Sequence, residues 1–178
     1  MSTDDAPLVP PGEVAATGRT AAGLLVELVG YDEARDVPAP SEYDAWPQGA
    51  RERPPGLGRL LVEVTDAEGV LGVAGCVSWH RESYGPNHGS HAWNIGIGLA
   101  EAARGHGVGA VAQRLLVAWL FAVTDVHRIE ASTDVANVAE QRALERAGFT
   151  REGVLRSAQE RVDGRHDLYS YSVLRSDL

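Results

Sequence analysis

Six consecutive residues, Arg104, Gly105, His106, Gly107, Val108 and Gly109, carry the densest chemical signal in the chain. They follow an apolar run at 93–99 and open a long apolar stretch reaching about residue 123, which reads as buried strand, glycine-punctuated loop, then helix. Glycines let backbone N–H groups converge on an anion without side-chain obstruction, and a helix N-terminus adds roughly half a positive charge at the same spot. The chemistry implied is the holding of a phosphorylated ligand.

Which ligand is narrowed by what is missing. A Walker-type loop needs a lysine, and all 16 basic residues here are arginines, which removes lysine Schiff-base chemistry as well. A dinucleotide fingerprint needs G-x-G-x-x-G in a parallel β-α-β unit, with an acid about 20 residues on. Glu130 and Asp134 supply acids, but Gly105, Gly107 and Gly109 have the wrong spacing and the chain leaves no room for a doubly wound sheet. His80, His88 and His91 fit no common zinc spacing, so no metal is expected. The single cysteine, Cys76, allows no intrachain disulfide and reads as a small buried hydrophobe in the apolar run 72–79.

The elements that must position the loop follow from periodicity. Residues 1–18 read as a loose arm, and 20–34 as an amphipathic helix, from the spacing of Leu24, Leu25, Leu28 and Val29. The proline-rich stretch 36–58 reads as a loop around one short helix that Ser41 caps, with Tyr43 and Trp46 more readily core than site wall. Residues 60–65 and 70–79 alternate around a turn at 66–69 and predict a hairpin; 81–89 is a polar loop and 90–99 a third strand. After the helix come a strand at 128–133, a helix at 137–147 stopped by Gly148, and a closing hairpin, 149–161 and 166–174, turning at Asp163 and Gly164. Hairpins combined with one β-helix-β crossover predict the α+β class.

Composition sets the frame. At 178 residues one domain, burying about two-thirds of its unfolded surface, is expected. A net charge of −9 and pI near 5.1 argue against nucleic-acid binding and favour a cationic substrate. No apolar run is long enough for a membrane span, and the acidic start is unlike a signal peptide, so a reducing cytoplasm is the expected location.

The string Arg104-Gly105-His106-Gly107-Val108-Gly109 resembles the R/Q-x-x-G-x-G/A signature of the GNAT superfamily of N-acetyltransferases. The similarity continues through Val126-His-Arg-Ile-Glu-Ala, Asn137 to Arg142, and Ala147-Gly-Phe-Thr-Arg-Glu-Gly-Val-Leu-Arg to the final Tyr171-Ser-Val-Leu-Arg-Ser-Asp-Leu. The branch it is most similar to contains the ribosomal-protein N-terminal acetyltransferases. The resemblance covers about Arg59 to the C-terminus and is faint before it, where 1–58 would serve the substrate side of a single acyltransferase domain, 1–178.

What the resemblance implies is a splayed mixed sheet of about six or seven strands flanked by helices, with a wedge between the fourth and fifth strands for acetyl-coenzyme A. Ile97, Gly98 and Leu99 would pair with the pantetheine arm; Arg104, Gly105, His106, Gly107, Val108, Gly109 and Ala110 would cradle the pyrophosphate. Asn137 would reach the thioester end, with Arg142 along the same channel. Much of the branch has a serine three residues after the asparagine to protonate the departing thiolate; this chain has Glu140. The acceptor would be a primary amine, a protein N-terminus first and a small amine second, with an acyl-coenzyme A sensor as a non-catalytic alternative. A homodimer is compatible with all three.

Direct attack on a thioester needs a base for the ammonium, donors for the oxyanion and an acid for the thiolate. His91, on the strand leading to the site, and Glu160, on the closing hairpin, are the candidate bases. A β-bulge at 97–99 would free an N–H for the oxyanion. Asp32, Glu33, Asp36, Glu42 and Asp44 could draw in a cationic amine or form an exposed acidic face.

Overall fold

The structure is a computed structural model that describes residues 7–47, 54–69 and 71–178. Its sheet has eight strands rather than six or seven: β1 (Val14–Arg19), β2 (Leu25–Gly30), β3 (Gly58–Thr65), β4 (Leu71–Ser83), β5 (His91–Leu99), β6 (Arg128–Asp134), β7 (Thr150–Arg161) and β8 (Gly164–Leu174), in the order β1-β2-β3-β4-β5-β6-β8-β7. Helix α1 (Val108–Val123) makes the crossover between β5 and β6, and α2 (Val138–Arg146) follows β6.

The two strands beyond the six read from periodicity come from the N-terminal segment, where the expected arm and helix are a hairpin. Gly23, at φ +86°, closes the turn between β1 and β2, and in β2 Val26 and Leu28 alternate into the core at 0 % exposure. The leucine spacing mimicked a helix, but glycines at both ends and this two-residue alternation made a strand. Residues 1–6, within the expected arm, and Val70, the expected start of β4, lie outside the described residues. β4 also runs through part of the expected polar loop, because Arg81 and Ser83 stay paired with Trp93 and His91.

Six neighbouring strand pairs are antiparallel; β5 and β6 are parallel, and only Ala92 to Asn94 face Arg128 to Glu130 before the strands part. The splay therefore lies between the fifth and sixth strands. The register of β4 with β5 is unbroken from Leu99 to His91, so no bulge sits at 97–99. The irregularity is instead on β4 against β3, where Ala74 is the extra residue and Gly75 takes φ +149°. Gly75 also lets β5 approach: a Cβ there would sit 2.0 Å from the Gly98 carbonyl oxygen.

The apolar face of α1 packs on the strands through Val111, Leu116, Val117, Leu120 and Phe121, against Val26, Leu28, Leu60, Val62 and Trp79. Apolar burial of this kind contributes about 25 cal/mol per Å² and fixes the helix over the sheet. Arg175 ties down the end of α1: its guanidinium donates to the carbonyls of Phe121 in the last turn, Thr124 at the cap and Val126 just beyond. α2 starts and stops as its sequence predicts: Asn137 Oδ1 accepts from the Glu140 N–H at 3.1 Å, and Gly148 at φ +99° ends it.

Candidate functional site

Where β5 and β6 part, a cleft of about 720 Å³ opens, walled by Ile95 to Leu99, Ala131 to Asp134, the glycine loop and the cleft side of α2. Ala100 donates its N–H to Ala74 on β4. In a strand, N–H and C=O of one residue point the same way and alternate along the chain, so the groups of Gly98 also turn to β4 while those of Ile97 and Leu99 turn to the cleft. The backbone of Gly98 is thus already used within the sheet, whereas Ile97 keeps both of its backbone groups toward the cleft and Leu99 its N–H, the Leu99 carbonyl being taken by Arg104.

At the mouth of the cleft, Gly105 and Gly107 both stand at φ +80°, a left-handed conformation that non-glycine residues rarely adopt. Gly107 is the N-cap of α1 and no side chain caps it, so the first-turn N–H groups of Val108, Gly109 and Ala110 have no intrahelical partner. A Cβ at Gly109 would touch Leu99 at 3.5 Å and Ala143 at 3.9 Å, which explains how β5, α1 and α2 meet so closely. Val108 points into the core at 1 % exposure and His106 is an exposed side chain outside the cleft, so neither side chain lines it.

Arg104 lines the cleft. Its guanidinium is folded onto the Leu99 carbonyl, at 2.8 and 3.0 Å, and onto the Pro40 carbonyl at 2.5 Å. Arg142 also lines the cleft, and Arg146 joins it one turn on. The i,i+4 spacing of two arginines after the loop was the signal for Arg146.

Glu140 lies in the wall between the cradle and the strand edges. As the third residue of α2 it could have closed a capping box on the N-cap N–H, but Asn137 donates that N–H to Asp134 instead. The carboxylate turns to α1, where Gln113 Nε2 donates to Oε1 at 2.8 Å. Burial pushes the Glu140 carboxyl up to about 7, and the Gln113 bond opposes that rise only in part. Such a group holds and releases a proton near neutral pH. Asn137 lines the cleft, its Oδ1 used as the helix cap.

Neither candidate base reaches the cleft. His91 begins β5, six residues below Ile97 and about 20 Å along the strand, buried with Nδ1 against the His88 carbonyl. Glu160 falls between Gln159 and Arg161, which line the cleft, so alternation turns it to the other face, 3.5 Å from Arg165. Cys76 is half-buried rather than simply apolar, with Arg59 Nη2 at 3.1 Å from Sγ.

A strap, residues 39–45, crosses the cleft, with Ser41 to Asp44 in its lining. Ala39 packs on Gly98, Pro40 takes Arg104, the Tyr43 hydroxyl donates to the Ala136 carbonyl at 3.3 Å, and Ala45 accepts from the Val162 N–H at 3.0 Å. The strap thus touches both arms of the splay. Ser41 caps its 3-10 turn, Glu42–Asp44, as predicted, and Tyr43 is site wall rather than core. Of the five acidic candidates, Glu42 and Asp44 line the cleft; Asp32 caps a 3-10 turn and Asp36 pairs with Arg59. Behind the strap, buried Asp134 receives Arg161 at 2.7 Å and His166 at 2.8 Å. Burial alone would raise Asp134, but the Ala136 N–H, His166 and Arg161 hold it below the ordinary carboxylate range. This network joins residues far apart in sequence, and no local pattern signals it.

Among the described residues no group of His, Cys, Asp and Glu could hold a metal ion, and no helix is long and apolar enough to cross a membrane. A 62-residue stretch is 42% identical to the probable N-acetyltransferase YjcK of Bacillus subtilis (strain 168), covering 35% of this chain and 34% of that protein. The fold is similar to the ribosomal-protein-S5-alanine acetyltransferase of Vibrio fischeri, with TM-score 0.55 and 24% identity over 67% of this chain and 63% of that one. It is also similar to Mycobacterium smegmatis RimJ in complex with CoA-disulfide, with TM-score 0.56 and 22% identity over 67% and 55%. Each match spans less than two thirds of the relative's own length, and the structural likeness is one of fold. The acetyltransferase (GNAT) domain model matches residues 21–150, reaching well into the segment where the sequence resemblance is faint. With most of its length inside that match, the chain belongs to the GNAT acetyltransferase family.

Proposed function

We propose that the chain transfers an acetyl or other short acyl group from acyl-coenzyme A to a primary amine by direct attack. The observation that carries this reading is the convergence on one cleft of a left-handed glycine cradle at a helix N-terminus, the parted edges of β5 and β6, and a carboxyl pushed up to about 7. The cradle fits a pyrophosphate, since a Cβ at Gly105 would meet nothing within 4 Å and the free N–H groups of α1 face the same space. Acetyl-coenzyme A supplies the activated acyl group. Ile97 and Leu99 offer backbone pairing to its pantetheine arm, Arg142 and Arg146 offer charge beside the cradle, and Asn137 flanks the arm from α2.

In this reading the amine enters at the strap end, where Glu42 and Asp44 line the cleft without a basic partner among the described residues. They attract its ammonium form and accept its proton. A cleft-facing N–H of Ile97 or Leu99 stabilises the oxyanion. Glu140 donates its proton to the departing sulfur, the part that serine takes in the branch this chain resembles. The first acceptor is the α-amine of a peptide or protein N-terminus, supported by the branch resemblance across 126–178. A small cationic amine is the second, favoured by the strap that narrows the acceptor end.

Thiol release from acetyl-coenzyme A with two amine sets, peptides with a free N-terminal alanine and a panel of polyamines and aminoglycosides, tests both. Turnover with peptides supports the first reading, and turnover confined to small amines replaces it with the second. Calorimetric binding of acetyl-coenzyme A with no thiol release in any reaction would sink the enzymatic reading and leave a sensor.

A further inference from the structure

Gln113 has no place in the mechanism so far, yet its position is unusual. It is the one polar side chain among the buried residues of α1, 1 % exposed between Ala112 and the apolar positions Val111 and Leu116. Its Nε2 is used by Glu140 at 2.8 Å, and its buried Oε1 has no hydrogen-bond partner among the described residues. An orphaned buried carbonyl destabilises, so packing alone would favour an apolar side chain of the same size. Both Gln113 and Glu140 line the cleft, and each comes from a different helix.

Resting on the assignment of Glu140 as the acid, we propose that Gln113 is its positioning residue: the amide holds the Glu140 carboxyl at the cleft wall and stabilises the charge left when the proton departs. In the step itself the acyl C–S bond breaks with its electron pair going to sulfur, the O–H bond of Glu140 breaks, and an S–H bond forms. The negative charge moves from sulfur to the carboxylate. The amide N–H of Gln113 already points at that carboxylate, so no reorganisation is needed when the charge appears. The other ionisable groups that share the cleft wall with Glu140 are Arg142 and Arg146 on α2, Arg104 after β5, Asp134 on β6, Arg161 on β7, and Glu42 and Asp44 on the strap, and Tyr171 from β8 feels its charge. Among the described residues Gln113 is the one side chain bonded to its carboxylate.

The test replaces the amide by an apolar group of similar size, Gln113→Met, with Gln113→Leu as a second variant. Either removes the orphaned oxygen, so folding is expected and is checked by the melting temperature. The Glu140 carboxyl is followed by ¹³C NMR in Glu-labelled protein, assigned with Glu140→Gln, from pH 5 to 9 without substrate. Loss of the donor is expected to raise the midpoint by about one pH unit, the size of a hydrogen bond to a charged group. In thiol release from acetyl-coenzyme A with an N-terminal-alanine peptide, the alkaline limb of kcat moves up with it. Below that limb kcat falls about tenfold while KM for acetyl-coenzyme A stays within twofold. An unmoved midpoint, or kcat lowered equally at every pH with the limb in place, overturns the role of Gln113. Wild-type kcat in Glu140→Gln overturns the acid assignment itself, whatever the Gln113 variants do.

Discussion

The two ends of the cleft are built by different means. The cradle end is backbone: Gly105, Gly107 and the first turn of α1, held by short-range geometry within a few residues. The strap end is side chains and long reach: Pro40 held by Arg104, Tyr43 by Ala136, Ala45 by Val162, with Asp134, Arg161 and His166 behind. A backbone site tolerates almost any side chain that keeps its dihedrals, whereas a site assembled from distant side chains can be re-specified by changing one of them. On the proposed reading, the donor end is therefore generic and the acceptor end particular.

The sharpest way to break this contrast is Gly107→Trp. At φ +80° any side chain is strained by about 1–2 kcal/mol, and an indole would fill the cradle. A folded variant is expected to bind coenzyme A at least about 100-fold more weakly by calorimetry. Undiminished affinity in a variant with a normal melting curve would mean that the cradle does not hold the phosphates.

Between the two ends stands Glu140, and its effect reads out as stability. Its carboxyl is pushed up from 4.5 to about 7 in the folded chain, so folding takes up a proton between those values. Stability is complete below about pH 4.5, falls through that window and is lowest above pH 7, by about 3 kcal/mol at most. Glu140→Gln is expected to remove this slope and to melt higher than the parent at pH 8 but not at pH 4.5. Parallel melting curves for the two proteins across that range would show that the carboxyl is not buried as described.

Arg104→Ala comes next in size and decides to which end the arginine belongs. The signature pointed to the pyrophosphate, but the guanidinium holds the Leu99 and Pro40 carbonyls. Affinities for coenzyme A and for pantetheine are expected to fall by the same factor, about three- to tenfold, as the Leu99 carbonyl on the cleft edge of β5 loses its donor. A loss confined to coenzyme A would return Arg104 to the cradle.

The same contrast explains what was legible in the sequence. Gly105, Gly107, the Asn137 cap and the Gly148 stop encode local dihedrals, so their types and spacing announced the loop and both helices. Glu140 was placed by its distance from Asn137, but its partner Gln113 was hidden inside an apolar helix whose periodicity gave no hint that one position is polar for a reason. His91 and Glu160 misled because strand membership was readable while strand direction and facing were not. The N-terminal hairpin was missed because Leu24, Leu25, Leu28 and Val29 satisfy a helical period, and the pairing with β3 that overrode it is a tertiary contact.

The smallest expected effect is the most specific to the acceptor end. Tyr43→Phe removes only the hydroxyl that donates to the Ala136 carbonyl at 3.3 Å, leaving the ring with Arg161 at 5.8 Å from its centroid. Burial, reinforced by Glu42, pushes that hydroxyl above its ordinary pKa, so it remains a donor throughout the neutral range. One neutral hydrogen bond at a partly exposed site is worth about 0.5–1 kcal/mol, which allows the strap to sample open positions two- to fivefold more often. KM for the amine is expected to rise by that factor, while coenzyme A affinity and melting temperature barely move, since no cradle group touches Tyr43. A change in coenzyme A affinity as large as the change in amine KM would mean that the strap serves both ends, and the division of the cleft into a backbone half and a side-chain half would fall.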